Sequence, residues 1–283
     1  MTQLILQAPH LVSTHIEKVA ALAQAEGVQE LGSTAVRLMD VDPQARSQVQ
    51  AECESLGMDY AFLDSIKLLR ECKILAMDMD STLVNIECID EIADMVGRKA
   101  EVSAITEAAM RGEITNFAES LTRRVALLEG VPEQALERVY EERLRLNPGA
   151  ENLIRTAHQH GIKTLLVSGG FTFFTERLKQ RLNLDAAHSN VLEVRHGYLT
   201  GNVLGTIVDA EGKADHLDEL AQSLGAQPEH IIAVGDGAND LKMMAHAQFS
   251  VAYRAKPVVR AQANYALNVS PLDAILNWFR LSH

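Results

Sequence analysis

Asp78 and Asp80 stand two residues apart in Asp78-Met79-Asp80-Ser81-Thr82, directly after the apolar run Ile74-Leu75-Ala76-Met77. Residues at i and i+2 just past a strand end can converge on one ligand as the chain turns. Two carboxylates held that close repel, and one keeps a proton unless a cation intervenes. With Mg²⁺ bound, Asp78 can stay ionised and attack phosphorus, while Asp80 protonates the leaving oxygen and later activates water. Asp is also common in turns, so the pair alone favours a capped turn by roughly three to one. Its weight comes from partners downstream.

Ser168-Gly169-Gly170 follows a second apolar run, Thr164-Leu165-Leu166-Val167. At a strand-to-helix junction it offers a hydroxyl and exposed backbone N–H groups, a ready site for phosphate. A plain Gly-rich turn is the competing reading. Leu166, two residues before Ser168, excludes the Gly-x-Ser-x-Gly nucleophile elbow. Gly235-Asp236-Gly237-Ala238-Asn239-Asp240 follows a third run, Ile231-Ile232-Ala233-Val234. Mg²⁺ prefers oxygen ligands and keeps several waters. Asp236 suits a direct metal ligand, and Asp240, four residues on, suits a support for it with Asn239 alongside. A helix N-cap explains the same residues without a metal. Asp240 occupies the third glycine position of a dinucleotide fingerprint, which excludes that motif. Lys213 lies between the second and third motifs. Alone it reads as a surface charge; in this order it stands where a phosphate clamp is needed.

Rigid elements must hold these groups together. From Lys73 onward apolar strands alternate with amphipathic helices, the pattern of an α/β, doubly wound parallel sheet. Ligands bind such sheets at the carboxyl ends of the strands, where Asp78, Ser168 and Asp236 each fall. Residues 85–147 read as a helical cap inserted after the first strand, with Ile89, Ile92, Ala93 and Val96 on one helix face and Leu121, Val125 and Leu128 on another. Residues 193–208 suggest a β-excursion, and Leu272, Ile275, Leu276 and Phe279 a final α-helix. Residues 1–70 read β-α-β-β-α-β, a small ferredoxin-like α+β domain. In it Gly27 stops the first helix, Asp42-Pro43 opens the second and Gly57 ends it. Residues 64–73 read as a polar linker to a second, larger domain at 71–283.

The formal charge of −12 disfavours nucleic acid and anionic membrane surfaces as partners. Cys53, Cys72 and Cys88 form no paired framework, the N-terminus has no basic, apolar leader, and no stretch approaches the ~18 apolar residues of a membrane span. A cytoplasmic protein is the expectation.

Taken together, these motifs resemble the haloacid-dehalogenase superfamily of phosphohydrolases over residue 73 to the C-terminus. Asp78–Asn85 followed by Glu87 and Ile89-Asp90-Glu91-Ile92 resembles its first motif, Val167–Phe171 the second, Lys213 the third and Gly235–Asp240 the fourth. Within it the chain looks like the branch that hydrolyses O-phospho-L-serine, the last step of serine biosynthesis. The resemblance implies Asp78 as nucleophile and Asp80 as general acid/base. It implies Ser168, Gly169 and Lys213 on phosphate, with Asn239 and Asp240 supporting the site. Mg²⁺ would rest on Asp78, Asp236 and the Asp80 backbone carbonyl. In the cap, Glu87 would take the substrate ammonium, Arg124 its carboxylate, and Met110 and Phe117 would wall the pocket. A zwitterion needs one such anion and one planar, bidentate cation. Taken singly, Arg124 reads as a solvated helix face and Glu87 as a favourable charge at a helix start. The 111–116 segment is one residue longer than the family's usual spacing. The N-terminal unit resembles an amino-acid-binding ACT-type domain by element order, and a homodimer is compatible with that. Rival expectations are another small phosphomonoester, such as phosphohomoserine or phosphothreonine, a phospho-switch module, or an inactive amino-acid sensor.

Overall fold

The computed structural model describes residues 2–281 except 111 and 112, and leaves the side chains of 109 and 110 undescribed. The Met110 side chain, expected in the pocket wall, therefore lies outside what is described.

The first four strands are β1 (Gln3–Gln7), β2 (Gly27–Glu30), β3 (Ala35–Met39) and β4 (Asp59–Leu63), in the antiparallel order β2-β3-β1-β4. Helices Ser13–Leu22 and Arg46–Leu56 complete the β-α-β-β-α-β order that the sequence suggests. Asp42 accepts a hydrogen bond from Gln44 N at 2.9 Å ahead of Pro43, and Gly57 closes the second helix at φ 67°. Gly27 does not stop the first helix. Gln24 does so by turning left-handed (φ 52°) while Ala25 N reaches back to Ala20 O, and Gly27 opens β2 opposite Met39.

The second sheet has seven strands: β5 (Ile74–Met77), β6 (Lys163–Phe171), β7 (Ala186–Arg195), β8 (Tyr198–Leu204), β9 (Ile231–Gly235), β10 (Phe249–Tyr253) and β11 (Tyr265–Leu267). Their order is β11-β10-β9-β5-β6-β7-β8, parallel except for the β7–β8 hairpin. Apolar residues fill β5 and β9 without alternation because both faces of a parallel sheet are covered. β5 lies between β6 and β9, so the three motif-bearing strands are neighbours and their carboxyl ends share one edge.

The insertion carries helices Cys88–Met95, Lys99–Met110, Phe117–Ala126 and Gln134–Arg138. Its two stems lie side by side. Val84 bridges Leu146, Asn85 N donates to Arg145 O at 3.0 Å, and buried Asn147 donates from Nδ2 to Thr82 O and Val84 O at 2.8 and 3.0 Å. The β7–β8 hairpin braces the insertion from beneath: Leu199 N donates to Val131 O at 2.8 Å, and Gly130 N to Leu199 O at 2.9 Å. Gly201 (φ 82°) allows this approach, since a Cβ there would lie 3.3 Å from the Ala126 backbone.

Two local expectations change. Residues 64–73 are not a free linker, because Leu69 and Cys72 are buried and Leu69 N donates to Arg280 O at 2.9 Å. The final helix is a 3₁₀ helix over Leu272–Trp278, with Phe279 extended beyond it. Of its buried residues the three most deeply set, Leu272, Ile275 and Trp278, recur every third position, the period of that tighter helix, with Ala274 and Leu276 buried beside them.

Asp59 joins the two sheets. Its buried carboxylate accepts from Asn268 N, Val269 N and Ser270 N at 2.7, 3.1 and 2.8 Å. Asp59→Ala strips partners from three N–H groups and should cost about 3 kcal/mol. Urea unfolding at neutral pH checks this; a midpoint equal to that of the parent would contradict it. Among the described residues no helix is long and apolar enough to cross a membrane.

Candidate active site

Asp78 follows β5 directly, its N–H donating to Val234 O on β9 at 3.0 Å. After it the chain coils through Met79–Leu83, with Ser81 left-handed at φ 56°. The coil carries Thr82 back under the Gly235–Asp240 motif, where its hydroxyl donates to Asp236 Oδ1 at 2.9 Å. Asp80 turns the other way, and its Oδ1 accepts from Cys88 N at 2.9 Å, at the start of the Cys88–Met95 helix.

Lys213 sits in the first turn of the Ala210–Leu224 helix, whose start is capped by Asp209 accepting from Gly212 N at 2.9 Å. Its side chain is fully buried and donates to Asp78 Oδ1 at 2.6 Å and Asp240 Oδ1 at 2.7 Å. The surface reading of this lysine is therefore corrected. The other Asp240 oxygen accepts from Asp236 N and Gly237 N at 3.1 and 2.9 Å. Gly235 is obligatory here, since a Cβ would lie 2.5 Å from Asp240 Cβ.

Asp78, Asp236 and Asp240 each offer a carboxylate oxygen within 4.8 Å of the others. Three carboxylates against one ammonium leave an excess of negative charge in a buried place. The Asp78 carboxyl is pushed well above its ordinary range by burial, then by Asp240, against the downward pull of Lys213. Burial, then Asp240, lifts Asp236 to about 7. Burial alone would lower the Lys213 ammonium, but Asp240 and Asp78 outweigh it and the net direction is up. An all-oxygen donor set short of positive charge fits a hard divalent cation. Asp240 has both oxygens engaged, whereas Asp78 and Asp236 each have one oxygen without a hydrogen bond within the cluster.

The expected strand end at Ser168 needs correction. β6 continues to Phe171, past a shift in its register with β7, and the next helix begins at Thr172. Ser168 is fully buried and its Oγ accepts from Gly170 N at 2.8 Å, so that N–H is turned inward instead of exposed. Gly169 and Gly170 do line the cavity. A Cβ on Gly169 would meet the Phe117 ring at 2.6 Å, and one on Gly170 would meet Asp80 Oδ2 at 2.8 Å. Glycine at 169 thus lets a cap side chain rest on the core.

The cavity of about 470 Å³ between cap and core is bordered by Asp78, Asp80, Asp236 and Asn239 below and by Glu87, Phe117 and Arg124 above. Glu87 precedes the Cys88–Met95 helix and accepts from Ser81 Oγ at 2.6 Å. Its side chain opens onto the cavity, yet surrounding protein strips away hydration and, with Asp80, pushes the carboxyl up. Burial lowers the Arg124 guanidinium while Asp90, Glu87 and Asp80 pull it back up. Asp80 is itself raised, by burial first, against the Cys88 hydrogen bond.

Two structural members escaped the sequence. Buried Asn190 on β7 donates to Gly169 O at 2.9 Å and accepts from Val208 N at 2.8 Å, tying the glycine pair to the segment that leads into the Lys213 helix. The only available signal was an amide inside a β-rich run. Lys256 borders the same cavity and draws the Asp236 pKa downward; it follows no motif.

The profile of the haloacid dehalogenase-like hydrolases matches residues 75–245, which span all of these groups. The chain belongs to that family. A second profile, a domain of unknown function, matches residues 4–49. A protein named phosphoserine phosphatase from a Polaromonas species is 56% identical over 212 residues, covering 74% of this chain and 90% of that one. A solved HAD-family hydrolase from Salmonella enterica serovar Typhi superposes with a TM-score of 0.88 at 31% identity, covering 99% of this chain and 98% of its own. An unliganded probable phosphoserine phosphatase from Vibrio cholerae gives a TM-score of 0.84 at 39% identity, over 98% of this chain and 85% of that one. This HAD hydrolase thus shares its whole α/β architecture, including the small N-terminal sheet, with solved relatives.

Proposed function

We propose that this protein is a Mg²⁺-dependent phosphatase that hydrolyses O-phospho-L-serine to serine and phosphate. The observation that carries the reading is the shared cavity. Asp78 and Asp80 border it from the core, and a carboxylate (Glu87) and a guanidinium (Arg124) border it from the cap. The names of the Polaromonas and Vibrio cholerae relatives, phosphoserine phosphatase and probable phosphoserine phosphatase, support the same substrate.

The residues would act as follows. Asp78 attacks phosphorus, forming an acyl phosphate as the bond from phosphorus to the serine oxygen breaks. Asp80 gives its proton to that oxygen. Serine departs, Asp80 takes a proton from water, and the water attacks phosphorus to release phosphate and restore Asp78. The Asp80 carboxyl, raised by burial, is suited to start as the proton donor. Lys213 holds Asp78 in place and offsets its charge. Asp78, Asp236 and the Asp80 carbonyl would hold Mg²⁺, which supplies positive charge to the phosphoryl oxygens when bound. Glu87 and Arg124 orient the amino-acid end, and Phe117 against Gly169 limits water access.

Phosphate release from O-phospho-L-serine, beside phosphohomoserine and phosphothreonine, tests the reading. One methylene is worth only ~1–3 kcal/mol in a pocket, so the preference is expected to be graded. Preferred turnover of another member of the panel would reject the substrate and keep the chemistry. Arg124→Ala should raise KM for phosphoserine about 100-fold while changing KM for p-nitrophenyl phosphate less than about threefold; equal effects on both would remove Arg124 from the carboxylate. Dialysis against EDTA should abolish turnover and Mg²⁺ should restore it. Full activity after chelation would argue against a metal at the Asp78–Asp236 pair.

A further inference from the structure

A second cavity, about 460 Å³, lies away from the catalytic residues, between the N-terminal sheet and the edge of the seven-stranded sheet. One wall comes from the Arg46–Leu56 helix and β4, the other from Pro257–Arg260 and the β11 region. Arg46 stands on the first wall and Arg260 on the second. Arg46 lies over the Phe62 ring, 4.5 Å from its centre, and reaches far enough to influence the hydroxyl of Tyr265 opposite. Tyr60, Phe62 and Tyr265 give the cavity aromatic sides. Of the two acids on the same border, Asp59 is saturated by three backbone N–H groups, and Glu54 accepts from Gln50 Nε2 at 3.1 Å on its own helix.

Two guanidiniums from separate parts of the fold border one cleft beside aromatic rings. Planar forks of this kind match carboxylate and phosphate oxygens, and the rings match a flat apolar body.

The short helix Pro257–Arg260 separates this cavity from the catalytic one. Pro257 and Arg260 border the inter-sheet cavity, whereas their neighbours Lys256 and Val258 border the catalytic cavity. Anything that draws Arg260 toward Arg46 acts on the segment that places Lys256 near Asp236.

We propose that the inter-sheet cavity is a ligand site for a small oxyanion with an aromatic body, held between Arg46 and Arg260, and that its occupancy is felt in the catalytic cavity through Lys256–Arg260. The occupant differs in class from the proposed substrate, which has no ring. The site itself stands without the phosphoserine reading; only the kinetic part of its test depends on it.

Calorimetric titration of the full chain with 3-phenylpropionate tests the site, with acetate as charge without ring, benzyl alcohol as ring without charge, and AMP as the phosphate form. 3-Phenylpropionate or AMP should bind with a Kd on the order of a millimolar or tighter, and the two fragments far more weakly. Which of the two binds tells a carboxylate from a phosphate source. Arg46→Gln and Arg260→Gln should each weaken binding at least about tenfold while leaving turnover without added compound within about twofold. The bound compound should shift KM for phosphoserine in the parent and not in Arg260→Gln. Absence of binding by both compounds, or binding that survives the double substitution, would overturn the site. Binding that needs both arginines but leaves KM unmoved would overturn the coupling. A parent that binds the compound but does not hydrolyse phosphoserine would reject the catalytic reading alone.

Discussion

Asp78→Asn is expected to lower phosphoserine turnover by at least about 10⁴-fold, with KM little changed and the fold intact. The amide keeps the volume of the carboxylate but cannot form an acyl phosphate, and loss of a covalent nucleophile carries penalties of this order or greater. The fold should survive because the charge removed was itself costly: burial and Asp240 already push this carboxyl upward. The substitution trades a buried negative charge for a neutral group, and Lys213 keeps Asp240 as a partner at 2.7 Å. Rapid-quench measurement of phosphoryl-enzyme, beside steady-state phosphate release and a melting curve, checks all three parts. Substantial turnover by the pure variant would end the proposal for covalent catalysis through this residue.

Lys213→Met should damage both activity and stability. It leaves Asp78 and Asp240 buried without their shared cation, and breaking a buried pair from one side typically costs about 3–5 kcal/mol. Because the Asp78 carboxyl, already raised by burial and by Asp240, would lose the downward pull of Lys213, the deficit has a direction with pH. It is smallest below the ordinary aspartate pKa of about 4, and it grows as pH rises through the raised folded values. Denaturant unfolding of parent and variant at pH 5 and pH 8 should therefore show the larger gap at pH 8. A gap that is constant, or larger at pH 5, would mean that Lys213 stabilises by packing its stem and not by its charge. Saturating Mg²⁺ should narrow the pH 8 gap.

The strands were legible because their apolar runs are continuous and each ends in a motif. Asp78 and Asp236 follow β5 and β9 as the sequence suggests, and Lys213 meets them only through the fold. What escaped was geometry that depends on contacts between distant segments. Ser168 was expected at an exposed turn, yet β6 carries it inside, because register with β7 is recovered only at Phe171. Gly27 was read as a helix stop because glycine usually supplies the left-handed residue, a conformation that Gln24 adopts here instead. The spacing of Leu272, Ile275, Leu276 and Phe279 suggests an α-helix, whereas the 3₁₀ helix at Leu272–Trp278 sets its most deeply buried residues, Leu272, Ile275 and Trp278, three apart. Asn190 joins two segments by side-chain bonds that no local pattern encodes.

The paired stems at Val84 and Leu146 have a consequence for how such enzymes diversify. An insert whose two ends already touch places no stretch on the scaffold that hosts it, so it can be lengthened, shortened or exchanged without moving β5 or β6. Glu87 and Arg124, proposed to discriminate one phosphate ester from another, travel with that piece, while Asp78 and Asp80, proposed as the reactive pair, stay behind; only its contacts to the β7–β8 hairpin and to Gly169 would need to be remade. A graft of the 85–147 segment onto a related scaffold would be expected to carry substrate preference with it, as a bit carries its profile to any drill.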